Sequence, residues 1–214
     1  MTSAAVATRR RRTQAERSAA TQAQLLDATI ECLAEVGYAR TTTAVVAERA
    51  GVSRGAQLHH FPTKADLVTH AMERVFDRRR EEFVGAIVML PEGLDRAAAA
   101  VDLLWAMVSG PTFYAWLELT VAARTDPELR PRVAQLGERF IEMVRRTFLE
   151  LFPAPPNPSP LYEAVPTFVF ALIDGLALQQ LHATDQEQVR NVLDALKTLA
   201  PLAFAPAPPD GGPR

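Results

Sequence analysis

Ser53, Arg54 and Gly55 follow the turn pair Gly51-Val52. A helix starting here would aim its free backbone amides and the Arg54 guanidinium past its N-terminus, where a phosphate oxygen or a guanine edge suits both. Lys64 opens the next helical stretch, where a cation is mildly unfavourable against the helix dipole and a phosphate would relieve the conflict. Thr43 offers a hydroxyl either to a phosphate or to its own helix as an N-cap. The Gln57 amide can pair with adenine N6 and N7 or turn inward and pack. His59 and His60 are neighbours on a helix and point in different directions, so a shared metal ion is not expected, and phosphate contact suits them better. Cys32 is the single cysteine. It allows no internal disulfide or thiolate cage and reads as a small buried hydrophobe ahead of a redox sensor. No Ser-His-Asp, Cys-His or paired-carboxylate set and no Gly-rich phosphate loop is found, so the sequence predicts no catalytic residue, no metal and no cofactor.

The elements that must position these groups are helices. Leu26, Ile30 and Leu33 recur at helical spacing from about Thr21, with Leu25, Ala28 and Cys32 beside them and Gly37 as a stop. Thr41, Thr42 and Thr43 supply cap hydroxyls for a short helix through Ala50, and Ser53 caps another to about His60. After Pro62, Thr63 caps a long helix from Lys64 to Met89 that turns Leu67, Ala71, Val75 and Phe76 inward. Five further helices are expected at about 94–109, 112–123, 127–152, 161–183 and 186–199, with Pro131 and Pro166 near helix starts. No stretch alternates with period two. The chain is predicted to be all-α, divided into a flexible basic arm (1–19), a three-helix helix-turn-helix unit (20–65), a larger helical unit (66–204) and a flexible tail (205–214).

A formal charge of -2 over 214 residues hides a sorting along the chain. Residues 1–80 carry 13 Lys and Arg against 8 Asp and Glu, and the remainder carries 10 against 17. A basic front suits a polyanion. Arg9, Arg10, Arg11 and Arg12 either enter a minor groove or form a solvated tail that raises the on-rate, the second being preferred. No apolar run is read as reaching the roughly 20 residues that cross a bilayer. The arginine run has no apolar core behind it as a signal peptide would. A soluble, cytoplasmic protein without membrane contact is expected.

Ala47 at a close helix crossing, Gly51 in a tight turn and Val52 beneath it meet the requirements of a helix-turn-helix. With Gly37-Tyr38, Thr41-Thr42-Thr43, Val46-Ala47, Ala50-Gly51-Val52-Ser53-Arg54-Gly55 and His60-Phe61-Pro62-Thr63-Lys64-Ala65-Asp66-Leu67, the chain resembles the TetR family of bacterial transcriptional regulators. The resemblance is strong over about residues 20–75. Beyond them it rests on helix count and length and on the runs Trp116-Leu-Glu-Leu and Ala123-Arg-Thr-Asp-Pro-Glu-Leu129. The family commonly has an apolar residue where Gln57 stands and a tyrosine where Leu58 stands.

The resemblance implies that Thr43, Ser53, Arg54, Gly55, Leu58, His59, His60 and Lys64 approach double-stranded DNA at a palindromic operator, and Gln57, a departure from the family's apolar residue, is placed with them, its amide pointing at a base edge instead of packing. It implies a homodimer built on the last two long helices, whose stripes include Phe168, Leu172, Leu176, Val189, Leu193 and Leu196. It also implies a cavity for a small, mostly apolar effector, its wall drawn from Trp105, Phe113, Trp116, Phe140 and Met143; Asp102, Glu118 and Asp174 are the main candidate buried charges. Effector entry would tilt the helix after Lys64, change the spacing of the two heads and release a repressor from its operator. The alternative is a helical interaction module whose basic head binds an acidic protein.

Overall fold

Thr13 and Glu16 form a reciprocal capping box: the Thr13 hydroxyl accepts from the Glu16 amide at 3.1 Å, and the Glu16 carboxylate accepts from the Thr13 amide at 2.7 Å. The computed structural model describes residues 13–91, 95–182 and 185–204. Among them lie nine α-helices and no strand: α1 (Gln14–Arg40), α2 (Thr43–Arg49), α3 (Arg54–His60), α4 (Lys64–Val88), α5 (Arg96–Val108), α6 (Pro111–Ala123), α7 (Leu129–Leu151), α8 (Pro160–Gln179) and α9 (Gln186–Ala203). The capping box starts α1 before the apolar periodicity does, so residues 14–19 are helical where the sequence suggested a flexible arm. Arg9 to Arg12 and the tail 205–214 lie outside the described residues.

A small core joins α1 to α4: Leu25, Leu26, Ala28, Cys32, Val46, Phe61, Leu67 and Ala71. Burial pushes the Cys32 thiol up from its ordinary value, which fits a packing role. Arg49 on α2 reaches Glu35 at 2.7 Å and Glu31 at 3.7 Å on α1 and fixes the head's outer edge. A second core runs from Leu33 through Val68, Met72 and Phe76 to Leu119, Leu129 and Leu136, so α1 and α4 are shared between the head and the larger unit.

The segment Pro160–Gln179 is long and apolar enough to cross a membrane by composition, contrary to the sequence expectation. It carries Glu163 and Asp174, and it uses its apolar length in two ways, one face packed on the protein and one exposed. Pro166 is its seventh residue, well inside the helix and not at its start. Helix α9 runs four residues past its expected end, through Pro201, because Phe204 docks on Phe152 and Tyr162 at 6.0 Å and on Phe148 at 6.3 Å.

Gly37 interrupts the last turns of α1 with φ 75°, a region that L side chains rarely adopt. A Cβ built there would stand 2.8 Å from Glu118 Oε2. Gly37→Ala is expected to cost about 1–3 kcal/mol, read as a lower urea midpoint. An unchanged midpoint would show that neither the φ nor the approach of Glu118 constrains this position.

Candidate nucleic-acid interface and ligand cavity

The turn into α3 is built locally. Gly51 takes φ 65°, the Val52 amide donates to Ala47 O at 2.9 Å, and the Ser53 hydroxyl accepts from the Ala56 amide at 3.3 Å. Ser53, Arg54, Gly55, Leu58 and His59 are exposed on one side, and His60 is half-buried against His59 with ring centroids 5.5 Å apart. Nothing stands within 4 Å of a Cβ at Gly55, so a backbone or phosphate can come close there. Thr42, not Thr43, caps α2 by accepting from the Val45 amide at 3.2 Å, which leaves the half-buried Thr43 without a capping duty.

Two expected interface residues turn elsewhere. Gln57 is fully buried and its Nε2 donates to Phe61 O at 2.7 Å, closing α3 from within; it presents nothing outward. Three residues from the exposed Arg54 and four from Phe61, it falls on the inner face of so short a helix. Lys64 folds back as well. Its Nζ lies 3.6 Å from the Tyr38 ring centroid and donates to Tyr38 O at 2.6 Å, and burial lowers its pKa. Cation–π contact and a carbonyl, rather than a phosphate, satisfy it at the helix start.

Tyr38 is thereby gripped from several sides. Its amide donates to Glu118 on α6 at 2.7 Å, its hydroxyl donates to Asp126 at 3.2 Å, and Lys64 of α4 covers its ring. Beside it, Arg132 of α7 pairs with Asp66, the third residue of α4 and partner of Thr63 in its capping box. Desolvation pulls the Asp66 carboxyl up, but hydrogen bonds from Thr63 and Arg132 hold it below its ordinary value. Tyr38 belongs to the head motif by sequence, yet its carboxylate partners Glu118 and Asp126 lie 80 and 88 residues away and no local signal announces them.

Between α4, α5, α6, α7, α8 and α9 lies a cavity of about 450 Å³ with an almost wholly apolar wall. Phe113, Trp116, Phe140 and Met143 are among its lining residues. Trp105 does not: it packs with Val101, Leu176, Val189, Leu193 and Leu196 in a separate core between α5, α8 and α9. Asp102 pairs with Lys197 at 2.6 Å and Glu118 holds Tyr38, so of the three expected acids only Asp174 reaches the cavity wall. Arg80, which the sequence did not single out, also lines the cavity and donates to Thr147 at 2.9 Å and Glu150 at 2.6 Å.

The stripe residues of the last two helices divide. Phe168 is exposed and Leu172 half-buried, whereas Leu176, Val189, Leu193 and Leu196 are buried within the chain and correct the expectation of an outward face. The exposed apolar residues are Leu161, Phe168 and Leu178 on α8 and Leu199 and Leu202 on α9. Helices with two apolar stripes give the same periodicity whichever stripe faces out.

Residues 25–71 match the family model for bacterial regulatory proteins of the tetR family, and residues 95–200 match the tetracyclin repressor-like C-terminal domain. The chain belongs to the TetR family of transcriptional regulators. These are DNA-binding proteins and not enzymes. The HTH-type transcriptional regulator CymR of Pseudomonas putida is 32% identical over 196 residues, 92% of this chain and 97% of its own. A crystal structure of a transcriptional regulator from Rhodococcus sp. RHA1 matches with a TM-score of 0.67 at 22% identity, covering 87% of this chain and 99% of that one. The multidrug binding protein EbrR, crystallised with imidazole, matches with a TM-score of 0.55 at 26% identity over 82% and 93% of the two chains. In this TetR-family chain, α2–α3 form the helix-turn-helix and the cavity occupies the C-terminal domain.

Burial, then the Asp126 carboxylate that accepts its hydrogen bond, push the Tyr38 phenol up to about 12. The fold favours the neutral phenol, so this contribution is complete below an unfolded pKa of about 10 and is lost as pH rises through the folded value. Urea unfolding across this range is expected to show stability falling from pH 10 upward, less steeply in Tyr38→Phe. Identical slopes for the two proteins would remove Tyr38 from the alkaline transition.

Proposed function

We propose that this chain is a cytoplasmic, homodimeric repressor that binds a palindromic operator through α3 and is released when a small, mostly apolar molecule fills the cavity. The observation that carries the reading is continuity. Helix α4 holds Lys64 against Tyr38 at one end and presents Phe76 to the cavity about three turns further on, and α6 presents Trp116 to the cavity and Glu118 to Tyr38. A ligand that displaces Trp116 or Phe76 therefore works directly on the joint that sets the head's angle, and its effect on DNA affinity equals its differential affinity for the two arrangements.

Arg54, Gly55, Leu58 and His59 form the DNA-facing surface, with Ser53, Thr43 and His60 at its edges. Arg54 suits a guanine edge or phosphate, and Leu58 suits a thymine methyl. One seven-residue helix reaches few bases, so tight binding needs a second head. On α8, Leu161, Ala164, Phe168, Ala171, Gly175 and Leu178 repeat at alternating steps of three and four, the spacing of a helix-packing seam. Leu199 and Leu202 of α9 add to the exposed apolar surface. A second copy covering this seam supports the dimer, with Phe168 as the one residue of the expected set at its centre.

The test is a footprint on the DNA flanking the chain's own gene, with sedimentation of the same samples. The wild type is expected to sediment as a dimer and protect a two-fold symmetric site. Arg54→Ala should remain dimeric and lose at least about tenfold in affinity, while Phe168→Glu should sediment as a folded monomer and lose protection. Salt-insensitive binding unaffected by Arg54→Ala would contradict the operator reading. A dimeric Phe168→Glu would contradict the seam.

A further inference from the structure

The cavity wall carries charges of both signs, but they are not equally matched. Arg80 meets Thr147 and Glu150, and Arg79 pairs with Glu82 at 2.8 Å while its Nε is buried without a hydrogen-bond partner. Asp174 has no hydrogen-bond or ion-pair partner among the described residues, and burial alone raises its pKa. A carboxylate held this way pays a desolvation cost that no protein group offsets.

Its surroundings are aromatic. Phe170 stands one turn before Asp174 on α8 and meets Phe140 edge-to-face at 5.4 Å. Phe140 meets Phe76 at 4.4 Å, and Phe76 meets Trp116 edge-to-face at 5.5 Å. All of these rings and Asp174 line the same cavity. Aromatic faces attract a desolvated cation electrostatically, and ammonium groups are recognised by such clusters.

We propose that the cavity selects a lipophilic organic cation, a tertiary or quaternary ammonium or its equivalent, whose charged centre pairs with Asp174 while its apolar body packs on Phe76, Trp116, Phe140 and Phe170. This rests on the effector-cavity reading above and adds the sign of the ligand's charge. A neutral apolar ligand would leave the carboxylate unpaired, and an anion would have to lie beside it. Only a cation satisfies the acid and the rings together.

The experiment uses the full-length protein and Nile red, a neutral apolar dye whose fluorescence reports cavity occupancy. Tetraphenylphosphonium and tetraphenylborate, nearly identical in shape and opposite in charge, then compete with the dye. The phosphonium is expected to displace it at a concentration about tenfold or more below that of the borate. Asp174→Asn should abolish the preference and Asp174→Glu should retain it, with both variants melting cooperatively. Equal displacement by the two ions, preference for the borate, or an unchanged preference in Asp174→Asn would overturn the charge assignment while dye binding leaves the cavity intact. No dye binding by the folded wild type would overturn the cavity reading itself.

Discussion

The hydrogen bond from the Tyr38 amide to Glu118 ties the head to the rest of the molecule. It exists because Gly37 bends the end of α1 into a positive φ and leaves no Cβ in the path of the carboxylate. Lys64 and Asp126 complete the enclosure from α4 and from the turn after α6. Charged and polar groups from both units thus meet on one residue, in surroundings dry enough to raise the phenol and lower the ammonium. A joint of this kind is stiff in one arrangement and must break contacts to reach another, which suits a two-state switch better than a graded one.

The cavity shares α4 and α6 with that joint and is also shaped by how α8 is used. One helix supplies cavity wall, internal core and an exposed seam, so its composition is apolar nearly all round, and composition alone does not separate it from a membrane span. Asp174 breaks this apolarity on the cavity side. Phe168 lines the cavity and is exposed on the seam, so dimer contact and cavity closure share a side chain.

The helix-turn-helix was legible because its requirements are local. Gly51, Ser53 and the Thr63–Asp66 box each act within three or four residues, and the exposed face of α3 follows from their spacing. The start of α1 was missed because capping at Thr13 precedes the first apolar residue of the periodic pattern. Gln57 and Lys64 were read outward because polar groups on a DNA-facing unit usually are; a carbonyl at Phe61 and a ring at Tyr38, both set by tertiary packing, turned them in. The burial of Leu176, Val189, Leu193 and Leu196 and the placement of Trp105 depended on where α5 lies, and periodicity along α8 and α9 holds no information about that.

The central claim is that filling the cavity moves the joint at Tyr38. It is tested most directly by following the Tyr38 amide in a transverse-relaxation-optimised NMR spectrum while the cavity is titrated with Nile red. The Tyr38 resonance is expected to shift and its hydrogen exchange to quicken in step with cavity occupancy, together with amides of α4 and α6. A Tyr38 amide that stays in place and stays protected while cavity resonances saturate would contradict the coupling.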